Sequence, residues 1–371
     1  MTVPSHLFMT ADAQSGVWTY ALDLARGLAP LGVRTTLAVV GPEPTAAQMA
    51  PARTMTELTV LLTDVPLDAA LTTRRDVEEA GHVIASLAAR EEPDLVQVNS
   101  APLAATGAFE APLVVACHWC VGTWWRAVKG MVPWPPEVRW RVELTARALA
   151  RADALIAPSA AFAAALAAMY ELPRLPRVAR NGRWSAGRTL PEAPPADYVF
   201  TAGRLWDEGK NVLLLDHAAA RVDATIVAAG PLRGPLGERA WFTRLHTPGA
   251  LSPADVGALL AERPVFVSPA IYEPFGLPVL EAAQAGCALV LADIATFREL
   301  WDGAAVFVNP YDDVALADAI NDVLVDPARR ARLAAAARER ARRYSVSAMV
   351  QATLSAWGYP SGAVTAAVTA A

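Results

Sequence analysis

Two glutamates eight residues apart bound the run Glu273-Pro-Phe-Gly-Leu-Pro-Val-Leu-Glu281. Two cations, Arg204 and Lys210, lie in Gly203-Arg-Leu-Trp-Asp-Glu-Gly-Lys210-Asn211. A carboxylate is a pure acceptor and can take two O–H donors. A guanidinium fork and a point-charge ammonium can clamp phosphoryl oxygens. They also stabilise negative charge that builds on a leaving phosphate. This set of groups suits a polyhydroxylated, phosphate-bearing ligand. Each pair alone is weak, because two acids eight apart or two surface cations often carry no role.

The flanking elements decide whether these groups meet. Pro264-Val-Phe-Val-Ser268 and Ala288-Leu-Val-Leu-Ala292 read as short buried strands. Gly276 gives a sharp turn, and the apolar run to Gly286 reads as a helix. Glu273 then lies on a strand-to-helix loop, with Glu281 about two turns into the helix. The N–H groups of Phe275, Gly276 and Leu277 point at the crevice where α/β sheets bind ligands. The strand Tyr198–Ala202 likewise feeds the loop that holds Arg204 and Lys210.

The first half of the chain has a similar loop. Thr10-Ala-Asp12-Ala-Gln-Ser15-Gly16-Val-Trp18 follows the first strand and opens a helix. His118 ends the strand that contains Val114-Val-Ala-Cys117. The region Trp119–Arg141 is dense in tryptophans and cations, among them Trp124, Trp125, Arg126 and Lys129. Tryptophan faces stack on sugars and arginine pairs with anions, so Trp124, Trp125 and Arg126 are candidates for binding an anionic or glycosylated ligand. Core tryptophans with snorkelling arginines fit as well. Cys117-His118-Trp119-Cys120 has a metal-like spacing, but no second cluster completes a tetrahedral site, and no D-x-D pair is placed to bridge a metal and a diphosphate. Gly230-Pro-Leu-Arg-Gly234-Pro-Leu-Gly237 follows a strand and either borders the phosphate-bearing ligand or is a plain loop.

Strands and helices alternate almost throughout. The readings include a strand at Leu7–Thr10, a helix at Gly16–Leu28 and a strand at Val33–Val40. Further on come helices at Thr73–Arg90, Pro136–Ala150 and Pro253–Ala261. The segment Pro42–Ala70 gives no clear pattern. The Pro/Arg/Gly-rich stretch Pro173–Pro195 reads as a linker, after which the pattern restarts. Strict alternation predicts two parallel sheets with helices on both faces, and two domains leave a cleft between them.

The 371 residues suffice for two cores. The chain is 54% hydrophobic and 19% charged, so it folds. A net charge of −5 argues against a nucleic-acid binder. Three cysteines make no disulfide framework, and a cytoplasmic location fits. The start lacks a basic n-region, and no window of about eighteen residues is free of polar groups, so neither a signal peptide nor a membrane span is expected. Peripheral membrane contact stays open.

The Glu273–Glu281 run resembles the E-x7-E signature of retaining GT-B glycosyltransferases, family 4. The resemblance includes Ser268-Pro before the run, then Ala282-Ala-Gln-Ala-Gly-Cys287 and Phe297-Arg-Glu-Leu300 after it. The Gly203–Asn211 loop resembles the family's second signature. Ser15-Gly16-Val resembles its glycine loop, with Ser15 in place of the usual first glycine. His118 stands where the family places a histidine facing the donor sugar. Asn181-Gly182 resembles the pair before the linker and is otherwise a plain turn.

The resemblance implies an α/β GT-B fold: two Rossmann-like, doubly wound domains facing across a cleft. Residues 1–182 would form the acceptor domain, onto which a helix at about 345–358 crosses back. Residues 183–344 would form the nucleotide-sugar domain, and 359–371 a mobile tail. The implied donor-binding residues are Ser15, Gly16, Arg204, Lys210, Phe275, Gly276, Leu277 and Glu281. His118, Arg204, Lys210 and Glu273 would act in catalysis, with Asp12, Trp124, Trp125 and Arg126 near the acceptor.

The implied reaction moves a sugar with retention from a nucleoside-diphosphate sugar to an acceptor hydroxyl. It needs no metal or cofactor. The acceptor is a glycan, a lipid-linked species or a small molecule. Domain closure would exclude water. Rival readings are a sugar-nucleotide epimerase or hydrolase of the same fold and a non-catalytic sugar-binding protein. An NAD dehydrogenase fits least, since neither half opens with the dinucleotide glycine pattern.

Overall fold

The computed structural model describes residues 3–184, 193–235 and 237–360. The chain divides into two compact units, residues 1–184 with 345–371, and residues 185–344.

In the first unit the strands are β1 (His6–Asp12), β2 (Arg34–Val40), β3 (Leu58–Leu62), β4 (Leu95–Val98), β5 (Leu113–Ala116), β6 (Ala154–Ala157) and β7 (Arg177–Val178). They form one parallel sheet in the order β3-β2-β1-β4-β5-β6-β7. Its helices are α1 (Gly16–Leu28), α2 (Ala46–Ala52), α3 (Arg74–Glu91), α4 (Val121–Lys129), α5 (Pro136–Arg151) and α6 (Ala160–Tyr170). β4 and β5 are buried at every residue, as parallel strands covered on both faces must be.

The second unit repeats the plan. Its strands are β8 (Val199–Ala202), β9 (Ile226–Ala229), β10 (His246–Gly249), β11 (Val265–Ser268), β12 (Leu289–Ala292) and β13 (Val306–Val308). The order is β10-β9-β8-β11-β12-β13, again parallel. The helices are α7 (Val212–Ala218), α8 (Pro253–Ala261), α9 (Leu277–Ala285), α10 (Ala295–Trp301), α11 (Asp313–Val325) and α12 (Pro327–Ala341). Successive strand residues serve opposite cores. Phe200, Phe266, Leu289 and Leu291 pack on one face, and Val199, Val265, Val267 and Val290 on the other. This is the period of two that places side chains on alternate faces of a strand.

After α12 the chain returns to the first unit as α13 (Val346–Ala356). Val346, Met349, Val350, Leu354 and Trp357 join the core that holds Leu7, Met9, Leu24 and Leu28. Gly27 lets α13 approach α1, since a Cβ there would sit 2.6 Å from methyls of Val346 and Val350. The two stretches that leave and rejoin this unit are bridged at Arg183 and Ser345. There Gly182 leaves no room for a side chain, with the Ser345 carbonyl oxygen 2.2 Å from where its Cβ would lie. Arg183 also pairs with buried Asp23 on α1 at 2.5 Å.

The stretch Pro173–Pro195 is not linker throughout. Residues 177–178 pair with β6 as the edge strand β7, and residues 185–192 lie outside the described residues. Tyr359, at the start of the expected tail, packs against the first unit's core and donates its N–H to the Leu354 carbonyl at 2.9 Å. Residues 361–371 lie outside the described residues.

Candidate active site

The order of each sheet reverses direction at one place, between β1 and β4 in the first unit and between β8 and β11 in the second. Ligands of open α/β sheets bind outside the carboxyl ends of strands at this switch point. In the second unit, the loop after β8 carries Arg204 and Lys210, and the loop after β11 carries Glu273. The topology thus joins residues 63 apart in sequence. Lys210 Nζ meets Glu273 Oε2 at 2.5 Å, both side chains largely buried. Arg204 pairs with buried Asp207 at 2.8 Å, and Asp207 Oδ1 accepts the Gly209 N–H at 2.9 Å. The N–H groups of Ile271 and Tyr272 donate to the Gly209 carbonyl, so the two loops are stapled to each other. A pocket here is lined by Thr201, Gly203, Lys210, Ser268, Glu273 and Val279, among others.

Two glycines after adjacent strands make this shape. Gly203 has φ +152° and donates its N–H to the Ala229 carbonyl at 3.0 Å. Gly230 has φ +147°, and a Cβ there would lie 1.7 Å from the Gly203 carbonyl oxygen. Asn211, at φ +54°, ends the first loop; its carboxamide donates to the Pro269 and Pro310 carbonyls at 3.0 and 2.8 Å.

Gly276 caps α9 at φ +92°, and Pro278 sits in its first turn. The N–H groups of Phe275, Gly276 and Leu277 have no acceptor among the described residues. Glu281 is the fifth residue of α9, half-buried. It therefore lies about one turn in, not two, because the helix starts at Leu277 rather than at the end of β11. α9 ends at left-handed Gly286, where Cys287 N–H reaches the Ala282 carbonyl.

In the first unit, Asp12, Asn99 and His118 stand at or just beyond the carboxyl ends of β1, β4 and β5. Asp12 accepts from Gln14 N–H at 3.0 Å and from Ser15 Oγ at 2.8 Å. Ser15 caps α1 by accepting the Val17 N–H at 3.1 Å. Its backbone is extended, φ −128°, a conformation that serine adopts without strain. Gly16 is the exposed first residue of α1.

His118 lies two residues past β5. Nε2 is 3.2 Å from Asn99 Oδ1, and the ring packs on Tyr20 with centroids 4.3 Å apart. Part of its surface reaches solvent, but burial of the rest pushes its imidazole down to about 4. The unfolded chain takes up a proton near pH 6.5 where the folded chain does not. This residue therefore disfavours the folded state as pH falls from about 6.5 toward 4, and is indifferent above.

Trp124 and Trp125 are half-buried on α4, and Arg126 is exposed beside them. Trp125 Nε1 donates to the Val132 carbonyl, and Lys129 lies over the Trp124 ring at 5.9 Å. Trp119, Met131 and Val132 are exposed on the same segment.

Cys117 and Cys120 are buried thiols; Cys120 Sγ contacts Tyr170 OH at 2.9 Å, and burial holds Cys117 protonated. Among the described residues no three His, Cys, Asp or Glu side chains are grouped to hold a metal, and no helix is long and apolar enough to cross a membrane. The sequence reading gives no role to Asp207, Asn99 or Gln97, although all are buried polar groups at this end of a sheet.

The comparisons agree with this geometry. A model described as "Glycosyltransferase Family 4" matches residues 14–183, and one described as "Glycosyl transferases group 1" matches residues 188–340. A glycogen synthase of Mycobacterium tuberculosis is 32% identical over 178 residues, which cover 44% of this chain and 43% of that relative. The chain thus matches less than half the length of that relative. Among solved structures, a sucrose-phosphate synthase from Thermosynechococcus elongatus superposes with a TM-score of 0.77 at 16% identity, over 95% of this chain and 98% of that one. Anabaena HepE, in complex with UDP and glucose, gives 0.71 at 19% identity, over 96% and 99%. These likenesses show the GT-B fold. With one model on each half, the chain belongs to the group 1 glycosyltransferases.

Proposed function

We propose that this chain moves a sugar from a nucleoside-diphosphate sugar to an acceptor hydroxyl, with retention and without a metal. The observation that carries the reading is the Lys210–Glu273 contact at the β8/β11 switch point, with Arg204 on the same loop. Lys210 and Arg204 hold the diphosphate and offset the charge that develops on it. This is the service a divalent cation gives elsewhere, which supports a metal-independent reaction. Glu273 and the amides of Phe275, Gly276 and Leu277 contact sugar hydroxyls, and Glu281 accepts from the ribose. The bond from the sugar to the phosphate oxygen breaks, and a bond to the acceptor oxygen forms on the same face. The acceptor's proton passes to the leaving phosphate, so no protein nucleophile is needed. Positioning and charge stabilisation supply the rate. HepE was solved with UDP and with UDP-glucose, which supports a nucleotide-sugar donor.

Thermal shift tests the donor assignment. One of UDP, GDP, ADP and dTDP should raise Tm, since about 100 Kd of ligand adds ~2.7 kcal/mol. The shift should be equal with and without EDTA and absent in Lys210→Ala. A response to NAD alone, or to none of these, refutes the reading; a shift that EDTA abolishes refutes metal independence.

The aromatic and basic α4 segment is our candidate for the acceptor. Trp124→Ala and Arg126→Ala should each raise acceptor KM roughly tenfold, ~1.4 kcal/mol, at unchanged donor affinity. Unchanged acceptor KM in both ends that assignment.

A further inference from the structure

A relay of buried amides runs from the C-terminal helix to His118, and its polarity is fixed at two points. Trp357 Nε1, next to α13, can only donate, and it meets Gln97 Oε1 at 3.1 Å. Gln97 must therefore turn its Nε2 toward Asn99 Oδ1 and the Tyr20 hydroxyl, each at 3.1 Å. Asn99 is pinned separately. Its Nδ2 donates to the Thr10 carbonyl at 2.6 Å, and its backbone N–H donates to Thr10 Oγ1 at 3.0 Å. A flipped carboxamide would set two acceptors against each other at Thr10 and two donors against each other at Gln97. Gln97 is wholly buried and Asn99 is 8% exposed, so water cannot relieve such a mismatch.

Asn99 Oδ1 is thus an acceptor, and His118 Nε2 can meet it at 3.2 Å only by carrying the proton. Nδ1 has no partner among the described residues. The Tyr20 ring, tilted at 56°, holds the imidazole from one side.

We infer that Asn99 is a positioning residue that locks His118 in its Nε2–H tautomer and leaves Nδ1 as a lone-pair acceptor for a substrate hydroxyl. The second half of this statement rests on the function proposed above; the tautomer does not. In the opposite tautomer the same ring edge would present an N–H and suit an acceptor instead. Burial, which keeps the imidazole neutral, preserves the distinction near neutral pH.

The test is a two-bond 1H–15N correlation spectrum of the histidine side chains in the full chain at pH 7, with His118 assigned through H118Q. The expected pattern is a single neutral tautomer protonated at Nε2. Asn99→Ala should give a mixture of tautomers. It should also lower kcat about tenfold, while the Kd for the stabilising nucleoside diphosphate stays unchanged. A wild-type signature of Nδ1–H, or of imidazolium, overturns the inference and needs no variant to fold. An N99A chain that keeps one Nε2–H tautomer, or keeps wild-type kcat, overturns the positioning role. If the tautomer behaves as expected in a chain that transfers no sugar, the functional reading fails and the tautomer assignment stands.

Discussion

Lys210→Ala should lower kcat about a hundredfold, ~2.7 kcal/mol, the usual loss when one preorganised donor is removed from developing charge. Lys210 is held by Glu273 at 2.5 Å, with the two side chains only 18% and 12% exposed. Its ammonium is therefore fixed before any phosphate arrives. The substitution also strands the Glu273 carboxylate. Because both groups keep some solvent access, that cost lies between exposed and fully buried pairs, about 1–2 kcal/mol. The two effects separate in a cycle with Glu273→Gln. Stability lost in Lys210→Ala should return in the double variant, while turnover should not. Near-wild-type turnover by Lys210→Ala, measured as nucleotide release at saturating donor, refutes the diphosphate assignment.

The second large effect is steric. Gly230→Ala puts a Cβ 1.7 Å from the Gly203 carbonyl oxygen and 2.9 Å from its carbon. Backbone atoms cannot swing aside as a side-chain end can, and φ +147° is itself unfavourable for alanine. The loop that carries Arg204 and Lys210 must shift away from β9. We expect a loss of about 3 kcal/mol or more, a fall of roughly 10 °C in Tm for a unit of this size, and no nucleotide-induced shift. Gly237→Ala is the control. It also has positive φ, +91°, but meets nothing within 4 Å, so only the left-handed penalty of about 1–2 kcal/mol applies. A Tm for Gly230→Ala within about 2 °C of that control would sink the packing account.

Much of the architecture could be read from pattern. Helices Gly16–Leu28 and Pro253–Ala261 and strand Tyr198–Ala202 stand within a residue of where the sequence pattern puts them, because each carries a clear buried face or sharp boundary signals. The elements that escaped are of another kind. β10, His246–Gly249, contains a proline and alternates exposed with half-buried residues at a sheet edge. β7 has two residues in a proline- and arginine-rich stretch, and β3 is an edge strand with no fully buried residue. Such strands owe their existence to a neighbour's hydrogen bonds rather than to their own composition. α4 was obscured by tryptophans that are only half-buried.

The same division runs through the site. Glu273, Arg204 and Lys210 were legible because motif spacing marks them, yet that Lys210 would touch Glu273 depends on which strands lie side by side. Asp207 and Asn99 carry no motif; only their burial and partners reveal them.

The route of the chain through its two units has a consequence for synthesis. α13 supplies Val346, Met349, Val350 and Leu354, with Trp357 just beyond it, to a core otherwise built from residues before 185. On the ribosome these side chains emerge only after all of residues 185–344. The unit translated first therefore waits with the side of α1 that receives α13 at Gly27 open to water, while the unit translated second has its whole sequence to hand. Completion of the older half thus depends on a helix made after the whole of the second unit.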